Sequence, residues 1–320
     1  MRKHPLHGRN LQKMIDRYIP SAVQICEVSA RDGLQSLNVN VETSAKIQFI
    51  QELIEAGCTH LEVASFVNPK LVPLMADSAA VLAALPEDKN LTLAALVPNV
   101  KGLDFALDSK ATLINVFASA SEAFSQSNMN ASIDECLHRI EDIVAKCPQK
   151  RFYIRATISC MTDCPVSGRT SPKLVRDLTV RLLDIGCDDV FLADTLGKAT
   201  PATVQQVIEM VLVDVMPNKL GVHFHDTYGQ GVANVWQSLQ YGISKIDSSA
   251  AGIGGCPFAR GASGNVATED VLYLLQSMGI DTGIDLMKLA KAGQKFCRLH
   301  GIQYHSKVGR AILKENEIMK

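Results

Sequence analysis

The sequence predicts an α/β fold, a closed (β/α)8 (TIM) barrel carrying a C-terminal helical extension. Two observations carry this. Strand-like and helix-period segments alternate eight times, and the strands are continuously apolar, as strands covered by helices on both faces are. A third removes the competing doubly wound open sheet. No glycine-rich phosphate loop follows the first strand.

The elements follow in order. "AVQICEVS" (22–29) reads as a buried strand. "VETSAKIQFIQELIEAG" (41–57) reads as a helix, with Thr43 or Ser44 as N-cap and Gly57 as its stop. "HLEVASF" (60–66) precedes a segment at 70–85 that is mostly helical around Pro73. "LTLAALV" (91–97) leads to "NVKGLDFALDS", and "TLINVFAS" (112–119) to a helix over 132–147. "RFYIRATIS" (151–159) precedes a helix over 171–186, with Pro172 placed in the first turn. "DDVFLADT" (188–195) precedes 200–215, and "LGVHFHDT" (220–227) precedes 229–242. "KIDSSAAGIGG" (245–255) is the eighth strand-like segment and 267–279 the eighth helix. One domain is expected over 21–320, with a basic N-terminal extension over 1–20.

Composition narrows the function classes. The 320 residues are 47% hydrophobic with a formal net charge of −1, so no basic field calls for nucleic acid or an acidic membrane. No apolar run is long enough to cross a bilayer. Nine scattered cysteines fit reduced thiols in a cytoplasmic compartment better than a secreted disulfide framework. Cys160 and Cys164 form a lone pair without a second pair at zinc spacing. The first 20 residues carry five Lys/Arg and one acid but lack a secretory apolar core. A mitochondrial matrix location is the alternative if the source is eukaryotic.

In such a barrel the chemistry sits at the C-terminal ends of the strands. There stand Glu27 with Arg31 and Asp32, Glu62, Arg155, Asp194, His223 with His225, and a glycine-rich run containing Cys256, Arg260 and Asn265. Residues i and i+2 of a strand share a face about 6–7 Å apart, so both histidines can point into the mouth and share one cation. The carboxylates Glu27, Asp32, Glu62 and Asp194 are expected to crowd that mouth, and need cations beside them. A divalent ion, Arg31 and Arg155 would supply these. A lone inward histidine is ordinarily a hydrogen-bonded core residue; two at this spacing, facing carboxylates, favour a metal. Mixed imidazole, carboxylate and amide ligation suits Mg²⁺ or Mn²⁺ rather than a hydroxide-making zinc. With only eight histidines, the histidine-rich ligand set of barrel amidohydrolases is not available.

Five stretches, "EVSARDGLQ", "SFVNPKLVPLMAD", "LADTLG", "VHFHDTYGQ" and "DSSAAGIGGCPFARGASGNVATEDV", resemble the 3-hydroxy-3-methylglutaryl-CoA lyases. These belong to the barrel superfamily that also holds isopropylmalate and homocitrate synthases. The resemblance runs from about residue 23 to beyond 290, and the cysteine loop is its most specific part. It implies a metal-assisted retro-Claisen cleavage to acetyl-CoA and acetoacetate, as in leucine degradation and ketone-body metabolism. It also implies an acyl-CoA substrate and a homodimer or larger homo-oligomer. By the family pattern Asp32, His223, His225 and Asn265 match the metal ligands. Arg31 matches the residue that stabilises the enolate, and Cys256 a thiol taking part in proton transfer. Glu62 matches a further active-site carboxylate. Glu27, Gln35, Asn128, Arg155 and Asp194 match positions expected to line the substrate pocket.

Each residue also has an ordinary structural reading. Cys256 could be one more small apolar residue, although its glycine-rich surroundings argue against that. Glu62 and Asp194 could simply bond loop backbone, and "GIGG" could cradle a phosphate. Arg31 and Asp32, as neighbours at a strand end, are expected to point apart rather than to pair. Three loops depart from the family pattern: Ser36-Leu37 after Gln35, Gln126-Ser127 where a Lys-Lys pair is frequent, and "CPVSGR". They lie where the acyl tail and CoA would be read, so a longer 3-hydroxy-3-alkylglutaryl-CoA is an alternative substrate. A condensing synthase is a weaker one, and a non-catalytic barrel would show gaps in the ligand set.

Overall fold

The computed structural model describes residues 19–35, 37, 39–149, 151–255 and 264–318. Cys256, Arg260 and almost all of the basic N-terminal extension therefore lie outside the described residues.

Eight parallel strands close into a barrel: β1 Gln24–Glu27, β2 His60–Ser65, β3 Thr92–Leu96, β4 Leu113–Ser119, β5 Tyr153–Ser159, β6 Asp189–Asp194, β7 Leu220–Phe224 and β8 Lys245–Ser248. Each lies within a segment that the sequence predicts as a strand. Closure comes from β1 pairing with β8, Ile25 opposite Ile246 and Glu27 opposite Ser248. The strand residues are nearly all buried, because the barrel filling covers one face and the helices the other.

The outer layer comprises α1 Thr43–Glu55, α2 Ser78–Ala84, α3 Val100–Leu107, α4 Glu122–Met129, α5 Ile133–Lys146, α6 Pro172–Ile185, α7 Pro201–Val211, α8 Gly231–Leu239 and α9 Thr268–Ser277. Helix starts follow local chemistry. Asn99 accepts from Gly102 N to cap α3, and Ser132 with Glu135 forms a capping box on α5. At α1 the cap differs from expectation: Glu42 is the N-cap residue and makes no side-chain cap bond. The segment expected to be helical over 70–85 is broken into a 3₁₀ turn at Pro73–Met75 and the short α2.

Two features went unpredicted. Helix α4 stands between β4 and α5, and a small antiparallel hairpin pairs Asp163 with Arg169 and Cys164 with Gly168 after β5. The eighth strand stops at Ser248, short of the predicted 255, because the chain turns into a 3₁₀ segment in which Ala251 takes φ 60. Two further helices, α10 Leu286–His300 and α11 Lys307–Ile318, form the C-terminal extension. Phe296 of α10 stacks on Phe49 of α1 at 4.1 Å between ring centroids.

Inside the barrel, register decides which side chains meet. Phe191 lies opposite Gly221, and a Cβ there would stand 2.3 Å from the Phe191 ring. Arg155 covers that ring, its guanidinium carbon 3.7 Å from the centroid, and pairs with Asp189 at 3.4 Å. This layer lies beneath the mouth and fills the space with stacked planes rather than aliphatic groups.

Candidate active site

A cleft of about 260 Å³ opens at the C-terminal end of the barrel. Its walls include Arg31, Asp32, Gln35, Asn128, His223 and His225, six of the residues proposed from sequence.

The two histidines come from the end of β7 and the residue just beyond it. They are 9% and 8% exposed. His225 Nδ1 lies 2.8 Å from the Thr195 carbonyl, which only accepts, so that nitrogen carries the proton. His223 Nδ1 lies 3.1 Å from Asp247 Oδ2 and donates in the same way. Asp247 is there because β8 pairs with β7 so that Asp247 sits opposite His223. The two Nε2 atoms thereby face one another 3.4 Å apart, where they can share a proton or, once deprotonated, a cation.

Asp32 completes the group: donor atoms of Asp32, His223 and His225 all lie within 4.8 Å of one another. Asn265 is delivered by a bridge to His225. Its Nδ2 donates to Asp32 Oδ2 at 3.0 Å, leaving Oδ1 buried without a hydrogen-bond partner. An orphaned amide oxygen, a carboxylate and two imidazole lone pairs fit a divalent cation in a mixed N/O shell.

The electrostatics agree. Burial opposes ionisation of Asp32, yet the Arg31 guanidinium and the two imidazoles hold its carboxyl well below the usual range. Burial, and then the neighbouring His223, push His225 down to about 4, so it is neutral near pH 7 and can act as a ligand. Burial also works against the His223 imidazolium, but its bond to Asp247 and the Asp32 charge outweigh it and raise the pKa.

Arg31 and Asp32 do pair, contrary to expectation, at 3.0 Å. They stand not on a strand but in a π-helical turn, Ser29–Gly33, where adjacent side chains can converge. The other terminal nitrogen of Arg31 donates to Glu62 Oε2. Glu62 thus reaches the site through Arg31. Its second oxygen accepts from Asn115 Nδ2 at 3.1 Å, and Asn115 Oδ1 accepts from Thr157 at 3.0 Å. The link crosses β3 over Ala94, the neighbour of Glu62 in register, whose methyl leaves room.

Three predicted pocket residues face elsewhere, so the expected crowd of four carboxylates is a pair. Glu27 is fully buried and accepts from Ser29 N, Ala250 N and Thr268 Oγ1, tying β1 to the turn after β8. Asp194 accepts from the backbone of Lys198 and Ala199, the loop-bonding role; burial raises its pKa to about 6 despite those donors. Arg155 belongs to the layer beneath, 3.6 Å from Asp247 Oδ1. The sequence reading missed Asn115, Thr157 and Asp247. Each lies on a barrel strand, and only the register between strands singles it out.

A family model described as HMGL-like matches residues 22–295. A rat protein named 3-hydroxy-3-methylglutaryl-CoA lyase, cytoplasmic, is 43% identical over 296 residues, covering 92% of this chain and 86% of its own. A Pseudomonas aeruginosa protein named 3-hydroxy-3-isohexenylglutaryl-CoA/hydroxy-methylglutaryl-CoA lyase is 44% identical over 92% of this chain and 98% of its own. A crystal structure of hydroxymethylglutaryl-CoA lyase from Pseudomonas aeruginosa superposes with a TM-score of 0.91 at 44% identity, covering 93% and 99% of the two chains. The barrel, the mixed-ligand mouth and a family match over most of its length agree: this chain belongs to the HMGL-like family.

Proposed function

We propose that this chain, a carbon–carbon lyase, cleaves 3-hydroxy-3-methylglutaryl-CoA to acetyl-CoA and acetoacetate, with Mg²⁺ or Mn²⁺ held by Asp32, His223, His225 and Asn265. The observation that carries the ligand set is the convergence of Asp32 and the two facing Nε2 atoms, beside the unpartnered Asn265 oxygen. A divalent cation there supplies Lewis acidity that acidifies the substrate's tertiary hydroxyl and fixes its orientation.

This chain's own residues supply the rest. The hydroxyl proton leaves as the C2–C3 bond breaks, and the bond's electrons move to the thioester as an enolate. Acetoacetate is released, and a proton added at the enolate carbon gives acetyl-CoA. Arg31 stabilises the charge developing on the thioester oxygen. Glu62 and Asp32 hold that guanidinium from two sides, which fixes its plane before substrate arrives. Burial opposes the charge on Arg31, yet the two carboxylates raise its pKa, so it stays cationic throughout. Of this pair Asp32 lines the cleft and is the base for the hydroxyl proton, whereas Glu62 acts through Arg31. Gln35 and Asn128 line the cleft as substrate contacts, whereas Glu27, Arg155 and Asp194 position the frame around it. Cys256 keeps the proton-transfer role that the family pattern gives it.

The acyl-CoA substrate and acetoacetate product accord with leucine degradation and ketone-body formation. Among the described residues no helix is long and apolar enough to cross a membrane. A cytoplasmic location is part of this reading, supported by eight described cysteines that are all free. A homo-oligomeric state is part of it too, by resemblance to the family. The test is release of acetyl-CoA from 3-hydroxy-3-methylglutaryl-CoA with Mg²⁺ or Mn²⁺ present. An enzyme that binds metal but releases none would sink the lyase reading.

A further inference from the structure

Cys160 and Cys164, which the candidate active site leaves unused, come together where β5 ends. They pack with Phe124 in a small cluster apart from the main core, and the two thiols hydrogen-bond. The Cys164 sulfur sits in a cradle of donors. Val166 N and Ser167 N both donate to it at 3.3 Å, and Ser121 Oγ, the N-cap hydroxyl of α4, donates at 2.9 Å. The Ser167 hydroxyl stands 3.1 Å from that of Ser121 and turns to the same sulfur. Converging N–H and O–H groups of this kind stabilise an anion, and a cysteine becomes one as its thiolate.

Burial works against the Cys164 thiolate, yet the hydroxyls of Ser121 and Ser167 and the two backbone amides bring its pKa down to about 7. Burial, and then the charge on Cys164, push Cys160 up to about 12. Burial also raises Cys26, Cys58, Cys187 and Cys297, which keeps them inert. A thiolate in contact with a thiol is the arrangement of a reactive cysteine beside its resolving partner. Cys164 is 4% exposed, and its cover is the hairpin tip over 165–168, which is exposed throughout. Cys160 in turn connects to the cleft. It takes φ 60, its N–H donates to Thr195 Oγ1 at 2.8 Å, and the Thr195 carbonyl holds His225 Nδ1.

We infer that Cys164 is a peroxide-reactive thiolate that Cys160 resolves into an intrachain disulfide. The thiolate attacks one oxygen of hydrogen peroxide, the O–O bond breaks and hydroxide leaves, so that Cys164 becomes a sulfenic acid. Cys160 gives its proton to that hydroxide and attacks the Cys164 sulfur. The S–O bond breaks as the S–S bond forms, and a second hydroxide leaves. The two sulfurs are oxidised, and the peroxide is reduced to water and hydroxide. The new bond draws the sulfurs inside contact distance and pulls on the Cys160 amide, and through Thr195 on His225. This last link rests on the ligand set proposed above; the thiol chemistry does not.

The test treats the purified protein with stoichiometric hydrogen peroxide and maps its tryptic peptides by mass spectrometry. Residues 156–169 form one such peptide and hold both cysteines. It should lack both thiol hydrogens and regain them with dithiothreitol. In Cys160→Ala, dimedone added with the peroxide should label Cys164, because the sulfenic acid is no longer resolved. A peptide that keeps both thiols while other cysteines oxidise would overturn the inference. Dimedone on Cys160 in Cys164→Ala would overturn it as well, since the roles would then be reversed. Mn²⁺ should bind the oxidised wild type about tenfold more weakly than the reduced protein. An unchanged affinity would overturn the link to the cleft. Reduced protein that binds no Mn²⁺ would sink the ligand set and that link with it, while the peptide masses judge the thiol pair on their own.

Discussion

Asp247 holds His223: the imidazole Nδ1 lies 3.1 Å from one carboxylate oxygen, and Arg155 stands 3.6 Å from the other. This chain of contacts runs from the stacked layer beneath the mouth to the proposed ligand group, and it fixes which histidine nitrogen faces the cleft. Asp247→Ala should therefore weaken divalent-metal binding by about 10–100-fold. Calorimetric titration of the purified protein with Mn²⁺ checks this, and an unchanged affinity would remove Asp247 from the account.

Asn115 makes the same kind of statement about Arg31. Its amide holds Glu62, which holds the guanidinium. In Asn115→Leu the carboxylate loses a donor and can swing, so kcat should fall by about 10–100-fold while KM moves little. Steady-state kinetics decide. A rise in KM at constant kcat would mean that Asn115 serves binding rather than alignment.

Gly221 is required by its neighbour in register. A methyl there meets the Phe191 ring, which is itself pinned under Arg155. Gly221→Ala should cost about 1–3 kcal/mol through overpacking and lower Tm accordingly. A variant as stable as the wild type would show that the ring can move.

Glu269 governs a pH dependence. It is fully buried; burial pushes its pKa from 4.5 to about 8, although Tyr304 Oη and Ala251 N both donate to it. Between those values the native chain keeps a proton that the unfolded chain has released. The stabilisation is complete below the unfolded pKa and is lost as pH rises through the folded one. Measured by urea unfolding at about pH 5 and about pH 8, the wild type should lose on the order of 2 kcal/mol more than Glu269→Gln. Parallel curves for the two proteins would refute the assignment.

Much of this was legible in the sequence because one physical rule governs it. Strands buried on both faces are apolar throughout, and "LTLAALV" and "DDVFLADT" could hardly be anything else. The i, i+2 spacing of His223 and His225 was equally plain, since strand geometry alone puts both on one face. What escaped depends on relations between strands. Asp247 and Asn115 look like ordinary polar residues until register sets them beside His223 and across from Glu62. Glu27 and Asp194 misled for the converse reason. A carboxylate at a strand end suits a pocket and a loop anchor equally, and only the direction of the following turn decides. The Arg31–Asp32 contact was misjudged because the strand ends at Glu27 and a π-helical turn takes over.

Asp32 and Asn265 meet at 3.0 Å although 233 positions separate them along the chain. The proposed ligand group consequently has no local precursor. His223 and His225 alone form an incomplete shell, and their completion waits until the first strand finds the last. A nascent chain emerging from the ribosome can build most of its helices and several strand pairs before any cation has a place to go. On that ligand set, metal capture would report that the ring of strands has closed rather than template its closing.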